Sequence, residues 1–485
     1  MSNTTLSSSR RETKSSLYRR RDFLRAMAAG SVAASWPLAT IAAPRGRAAN
    51  DLTVGEATVD TTPPLGIELA GFHRRAPDRR LIERIRKKSA ARALVIRHGD
   101  TQAAIISLDI LSVSKGMTQR IQTAVEKTTS IPAAHVRLTA THTHSMPTFY
   151  PLLHWGAVSR EYMKSVEQKC VQSVQLAQQD LTKAALYVGS ARTDGANFNR
   201  TARETGWKSE VDFTASSSDS ERWLDQALHV LRFERSGEKD ILWYQFCAHP
   251  ICYRDTDAGP DWPGVVDEHV EAKLGVTPSF LQGHIGDVNP GDGETFRGDP
   301  IAVGQKLFAA IHGAVENGQR VSVNNVRVVN DSATLQFDME RFKDELAMYE
   351  ALPEKPTRDD IKAARLVDGP FAQSWYASAK KWDASRTSIS TPISALRLGD
   401  VCLFFHSTEL YSYYGLRVQH DSPFSKTIAV GYADDFVGYV TDAKAYDDLE
   451  YAAVVVPKIL GLPPFKTQTA TRFTERATRL LRRLA

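Results

Sequence analysis

The stretch Thr139-Ala-Thr-His-Thr-His-Ser-Met-Pro147 constrains this chain more than any other. An extended run ends there on two histidines, His142 and His144, at positions i and i+2. In a strand those positions share a face. Both imidazoles then reach one metal ion, or one holds a metal while the other faces a substrate. Zinc favours imidazole nitrogens, and a catalytic zinc site keeps one position open. The alternative is a polar strand end carrying two solvated histidines. The rest of the chain decides between these readings.

The same grammar recurs along the sequence. Leu52–Asp60 alternates as a strand does, and 91–97 and 103–111 read as two more strands. Val113, Met117, Ile121 and Val125 recur at helical spacing, 136–141 is extended, and 160–184 has a helix's apolar period. Strands alternating with helices, with chemistry at the strand ends, are α/β grammar. The expected fold is α/β: a mixed β-sheet flanked by helices, in one large domain over residues 50–485. Residues 241–250 form an apolar strand stopping at His249, where Pro250 ends the pairing, and a helix is expected after Pro263-Gly264. Residues 280–291 run from a short strand into a tight loop. Its Gly286, Pro290 and Gly291 let backbone N–H groups turn toward a ligand. Residues 301–317 look helical, 320–338 look like strands, and 396–405 form a hairpin leading into a buried strand. Ser407 or Thr408 then reads as a helix cap. That places Glu409 in a first turn, where the helix dipole favours a carboxylate. Arg200 is either an oxyanion-binding group or a surface arginine. Tyr439 and Tyr451 are either site phenols or half-buried core residues. The basic run Arg74 to Lys88 reads as solvated surface, residues 343–382 as a partly helical excursion near the site mouth, and the tail from Thr467 as a packing helix.

Formal net charge is +5, but residues 1–49 carry nine Lys/Arg against two Asp/Glu, leaving 52 basic and 54 acidic residues beyond them. Nothing in that balance argues for nucleic acid. The basic start contains Arg19-Arg-Arg-Asp-Phe-Leu-Arg25, then an Ala-rich apolar stretch and small-residue sites at Ala42-Ala43 and Ala48-Ala49. This order resembles a twin-arginine export signal over residues 1–49. The expected location is exported, periplasmic or extracellular. The four cysteines are too few for a disulfide framework. Cys247 and Cys252 either bridge in an oxidising compartment or pack as buried thiols.

Ordered along the chain stand Asp60-Thr-Thr-Pro-Pro64, Ala70-Gly-Phe72, Thr141-His-Thr-His-Ser145, Asn199-Arg200, Ala248-His-Pro250, Gly286-Asp-Val288, Thr408-Glu409 and Gly438-Tyr-Val-Thr441. Together they resemble the catalytic domain of the neutral/alkaline (non-lysosomal) ceramidase family. The resemblance implies a zinc held by His142, His249, Glu409 and Tyr439. It also implies substrate-polarising and oxyanion-stabilising roles for His144, Arg200 and Tyr451. It further implies cleavage of an N-acyl bond in a small-molecule or lipid substrate by zinc-activated water, with peripheral membrane contact and no protein partner. Two features depart from the family. Asn289 stands where the family's loop carries a serine, and an amide is no nucleophile, so its expected part is to help stabilise the oxyanion. The family's C-terminal immunoglobulin-like domain has no counterpart here. A zinc hydrolase of a non-lipid amide or ester, and a non-catalytic metal-containing binding protein, are the alternative readings.

Overall fold

Three pairs of parallel strands bring their carboxyl ends to one region of the molecule, and each pair delivers a histidine or a glutamate there. The computed structural model describes residues 52–74 and 78–485. The export-signal segment 1–49 lies outside them.

Among the described residues, nine strands form a mixed sheet. Its spatial order is Ser279–Gln282, Ile241–Phe246, Ala227–Arg235, Thr182–Arg192, Leu52–Asp60, Ala90–His98, Thr101–Leu108 and Val136–Ala140, with Gln319–Val321 also pairing on Thr182–Arg192. Two of its pairings are parallel: Thr101–Leu108 with Val136–Ala140, and Ile241–Phe246 with Ser279–Gln282. The third parallel pair lies in a separate four-stranded sheet of Val326–Gln336, Ser388–Leu398, Val401–His406 and Lys426–Val430, where the last two run parallel. Each of these three pairs spans a helical crossover: Lys115–Thr129, Trp262–Leu274 and Ser412–His420 respectively. Parallel strands need such a connection.

The strand pattern dictates the layering. Along Ala90–His98, the side chains of Ala91, Ala93 and Val95 join the core beneath Lys115–Thr129 and Arg160–Gln179, while Leu94 and Ile96 point the other way. Those two meet Leu403, Phe405, Ile428 and Val430 of the four-stranded sheet. The two sheets therefore pack face to face. Cys402 and Phe404 alternate away from that interface, toward Phe473, Leu480 and Leu481 of the terminal helix Thr469–Leu484. The mixed α/β architecture is the expected one, with a second sheet added. Burying each such Leu, Ile or Phe contributes about 1.5–3 kcal/mol.

Two local expectations are corrected, and two others are met. The 160–184 helix stops at Gln179, and the next strand begins at Thr182. The helix after Asp261 begins at Trp262, one residue before Pro263, with the Asp261 carboxylate accepting from Trp262 N. Residues 343–382 are partly helical as expected, overlapping the helices Met339–Glu350, Arg358–Ala363 and Gly369–Ala379, whose Phe371 and Trp375 are buried. Cys247 and Cys252 are free thiols.

Candidate metal centre and substrate cavity

His142 and His144 do not share a face by strand alternation, because the strand ends at Ala140. His142 instead adopts a left-handed backbone, φ +63°, a conformation that costs a non-glycine residue about 1–3 kcal/mol. Its Nδ1 donates to Leu111 O at 2.8 Å, which leaves Nε2 free. His249 is anchored in the same way, with Nδ1 to Val288 O at 2.7 Å. Both Nε2 atoms lie 3.5 Å from Glu409 Oε2.

Glu409 does not sit in a helix turn. It belongs to the two-residue strand Glu409–Leu410, paired in parallel register with Tyr439–Val440. The helix starts three residues later at Ser412, with no side-chain cap. Thr408 Oγ1 contacts His406 Nδ1 at 3.0 Å instead of capping it. The strand pair sets Glu409 directly opposite Tyr439.

The electrostatics suit a cation. Burial alone would raise the Glu409 carboxyl, yet the imidazoles of His142 and His249 hold it down at about 2. Burial, and then Arg200, lower His249 to about 4, so its imidazole is neutral. Its Nε2 is buried without a hydrogen-bond partner. Two imidazoles fixed through Nδ1 and a carboxylate between them form a donor set that fits zinc, and backbone acceptors on Nδ1 are the usual support for such ligands.

His144 lacks that support. Its Nε2 is 3.4 Å from His142 Nε2, and its Nδ1 makes no hydrogen bond of normal geometry. Burial, then the neighbouring imidazoles of His142 and His249, push its pKa well below the ordinary value. Arg200 Nη2 donates to Tyr439 OH and to Gly286 O, each at 2.7 Å, and its Nη1 lies 3.4 Å from Asn289 Oδ1. Asn289 is fully buried behind that guanidinium and donates from Nδ2 to Phe296 O at 2.6 Å. An amide so placed lies against the Arg200 guanidinium and is not among the side chains lining the cavity beside it. Tyr451 opens the short helix Tyr451–Val454 and is 46% exposed.

His142, His144, Arg200, Glu409, Tyr439 and Tyr451 all line one cavity of about 690 Å3, whose other walls include Phe72, Leu111, Leu152, Trp155, Phe436 and Leu460. His73, on the same wall, and Trp155 both pack against Phe371 of the 339–379 helices, which puts that helical segment beside the site.

Three contributors are given no role by the sequence. Tyr432 stacks on His142 with ring centroids 4.1 Å apart and donates to Glu409 Oε2 at 3.4 Å. Asp287 accepts from Ser412 N and Oγ and from Asn199 Nδ2, and so ties together the loops that carry Arg200 and Glu409. Arg80 belongs to the run that reads as solvated surface, yet it is 2% exposed, and its Nη1 donates to Ala70 O and His144 O.

Strand ends converging on an apolar cavity are where open α/β sheets bind ligands. Residues 52–290 match the model of the N-terminal part of the neutral/alkaline non-lysosomal ceramidase family. The fold is shared with the crystal structure of neutral ceramidase from Pseudomonas aeruginosa, at 17% identity and a TM-score of 0.68, over 90% of this chain and 74% of that one. It is shared equally with a ceramidase complexed with C2, at 18% identity and 0.66, over 90% and 75%. No curated protein matches the chain.

Proposed function

We propose that the protein is an exported, zinc-dependent hydrolase of the ceramidase type that cleaves the amide bond of an N-acyl, ceramide-like lipid. The observation that carries this reading is the placing of His142, His249 and Glu409 around one point in the wall of a largely apolar cavity. His142 Nε2, His249 Nε2, the Glu409 carboxylate and the Tyr439 phenol would hold the zinc. When bound, the ion supplies Lewis acidity that brings water's pKa from ~15.7 to around 7.

The chain's own groups do the rest. Arg200, kept cationic by Tyr439 and the nearby acidic groups despite its burial, receives the carbonyl oxygen as it gains negative charge. Tyr451 adds a phenolic donor from the cavity rim. His144, neutral and with a ring nitrogen free of any fixed acceptor, takes the proton released as water adds and returns it to the leaving nitrogen. Phe72, Leu152, Trp155 and Leu460 exclude water and receive the acyl chain. The lack of a serine at Asn289 is compatible with this route, since water is the nucleophile. No helix among the described residues is long and apolar enough to cross a membrane, and a lipid substrate would be met by peripheral contact. Export is supported by the Arg-Arg-rich start of the chain.

Elemental analysis of purified wild type beside His249→Ala, with turnover of an N-acyl substrate series, tests this. The variant should lose one equivalent of zinc and all turnover. Unchanged metal content together with full turnover would remove the reading.

A further inference from the structure

A second cluster of ligand-type side chains lies in the same sheet, away from the cavity. Asp225 precedes Ala227–Arg235, Cys247 follows Ile241–Phe246, and His284 follows Ser279–Gln282. These three strands are adjacent, the first antiparallel to the second and the second parallel to the third, so the three residues meet at one end of the sheet. We propose that Asp225, Cys247 and His284 hold a second divalent cation of the zinc class, in a structural role.

The distances are close to those of a coordination shell. His284 Nε2 is 3.1 Å and Cys247 Sγ 4.0 Å from Asp225 Oδ2, and the three ligand atoms lie within 4.8 Å of one another. Tetrahedral zinc with bonds of ~2.0–2.3 Å sets its ligand atoms roughly 3.3–3.8 Å apart. His284 Nε2 and Asp225 Oδ2 make an ion-pair contact, but neither ring nitrogen of His284 makes a hydrogen bond of normal geometry. Buried polar nitrogens are seldom left so. Asp225 Oδ1 is held separately by Ala227 N at 3.0 Å, which turns Oδ2 toward the cluster. Gln245 Nε2 lies 3.4 Å from the sulfur while its Oε1 has no partner. With the amide turned over, that oxygen becomes the fourth donor.

The backbone is cut to this cluster. A Cβ on Gly283 would come 2.3 Å from Cys247 Sγ, and one on Gly415 would come 2.1 Å from His284 Cγ. Cys247 and His284 are fully buried and Asp225 is 1% exposed, so the sulfur cannot meet a substrate as a nucleophile. On binding, the thiol proton and the proton that His284 Nε2 holds toward Asp225 both leave to solvent, and thiolate and carboxylate together balance the two positive charges. The bound ion would pin the strand end from which His249 projects two residues after Cys247.

The test uses cobalt(II) in place of zinc in the full chain. The first site offers no sulfur, so a thiolate-to-cobalt absorption band reports the second site alone. The band is expected in wild type and in His142→Ala, and should vanish in Cys247→Ser. Zinc content should fall by one equivalent in Cys247→Ser. Cobalt-loaded wild type without the band, or a band that survives in Cys247→Ser, overturns the proposal. Should Cys247→Ser fail to fold, Asp225→Asn, with the thiol intact, should still lower the metal content by one equivalent, and unchanged content there is equally decisive against. If the first site is misread, His142→Ala will keep its full metal content while the band behaves as described.

Discussion

The α-carbon of Gly71 presses against the His144 imidazole. A Cβ at residue 71 would lie 2.3 Å from Nδ1 and 2.6 Å from Cγ, and Gly71 itself has φ +91°. Gly71→Ala must therefore move the ring, the backbone or both. The proposed zinc donors His142, His249 and Glu409 are untouched by this change. Turnover should fall by about 100-fold, the cost of a displacement near 1 Å at a reacting group, with zinc content unchanged. Activity within twofold of wild type would mean that His144 takes no part in the chemistry.

Arg200 joins three groups, Tyr439 OH, Gly286 O and Asn289 Oδ1, through a planar fork. A lysine cannot span them. Arg200→Ala and Arg200→Lys should both lower kcat by about 10²–10³, the usual loss for one oxyanion donor. Asn289→Ala, which only loosens Arg200, should lower kcat by about tenfold and leave the metal in place. Steady-state kinetics beside elemental analysis separates the two effects. If Asn289→Ala lost activity as completely as Arg200→Ala, the amide would have to touch substrate.

Much of this candidate site is legible in the sequence because its proposed ligands follow apolar strands that break on His-Pro or His-Thr-His. The ends of strands are marked by composition, and parallel pairing carries them to one place. What stayed hidden is tertiary. Glu409 looked like a helix-start residue because Ser407 and Thr408 are good caps, and only the ladder to Tyr439 overrides that local preference. The left-handed turn at His142 has no glycine to announce it. Arg80 sits in a basic run whose other members are mostly solvated, and nothing local says that one of them is buried against the carbonyls of Ala70 and His144. The strand Ala227–Arg235 and the face-to-face packing of two sheets were likewise unreadable, since alternation shows that a strand has two faces without showing what covers each.

Glu56 supplies a pH signature remote from the site. Burial, opposed by hydrogen bonds from Trp243 Nε1 and Ser279 Oγ, raises its carboxyl from 4.5 to about 7. The folded protein then keeps a proton that the unfolded chain gives up, so this group's contribution to stability falls as pH rises from about 4.5 to about 7. Glu56→Gln keeps the acceptor oxygen and removes the titration. Its melting temperature should drop less than that of wild type across this window and exceed it at pH 8, by an amount equivalent to at most about 3 kcal/mol. Parallel pH–melting curves for the two proteins would sink the assignment.

The cavity wall makes the last prediction. Leu152, Ile459 and Leu460 line both the site cavity and a neighbouring one of about 640 Å3, whose walls include Phe149, Met163, Phe342 and Trp375. These three side chains therefore set how far an acyl chain can run from the carbonyl held at Arg200. Each methylene excluded from the cavity forfeits about 0.8 kcal/mol. Leu152→Trp, by denying room to about three methylenes, should cost about 50-fold in kcat/KM for long acyl chains and little for an acetyl group. Leu152→Ala should do the reverse, opening the wall toward the second cavity and shifting preference to longer chains. Neither change touches a metal donor, so zinc content serves as the control in a chain-length series. A uniform loss across all chain lengths would mean that the apolar wall receives something other than the acyl group, and the lipid part of the proposed substrate would have to be given up while the amide hydrolase stood.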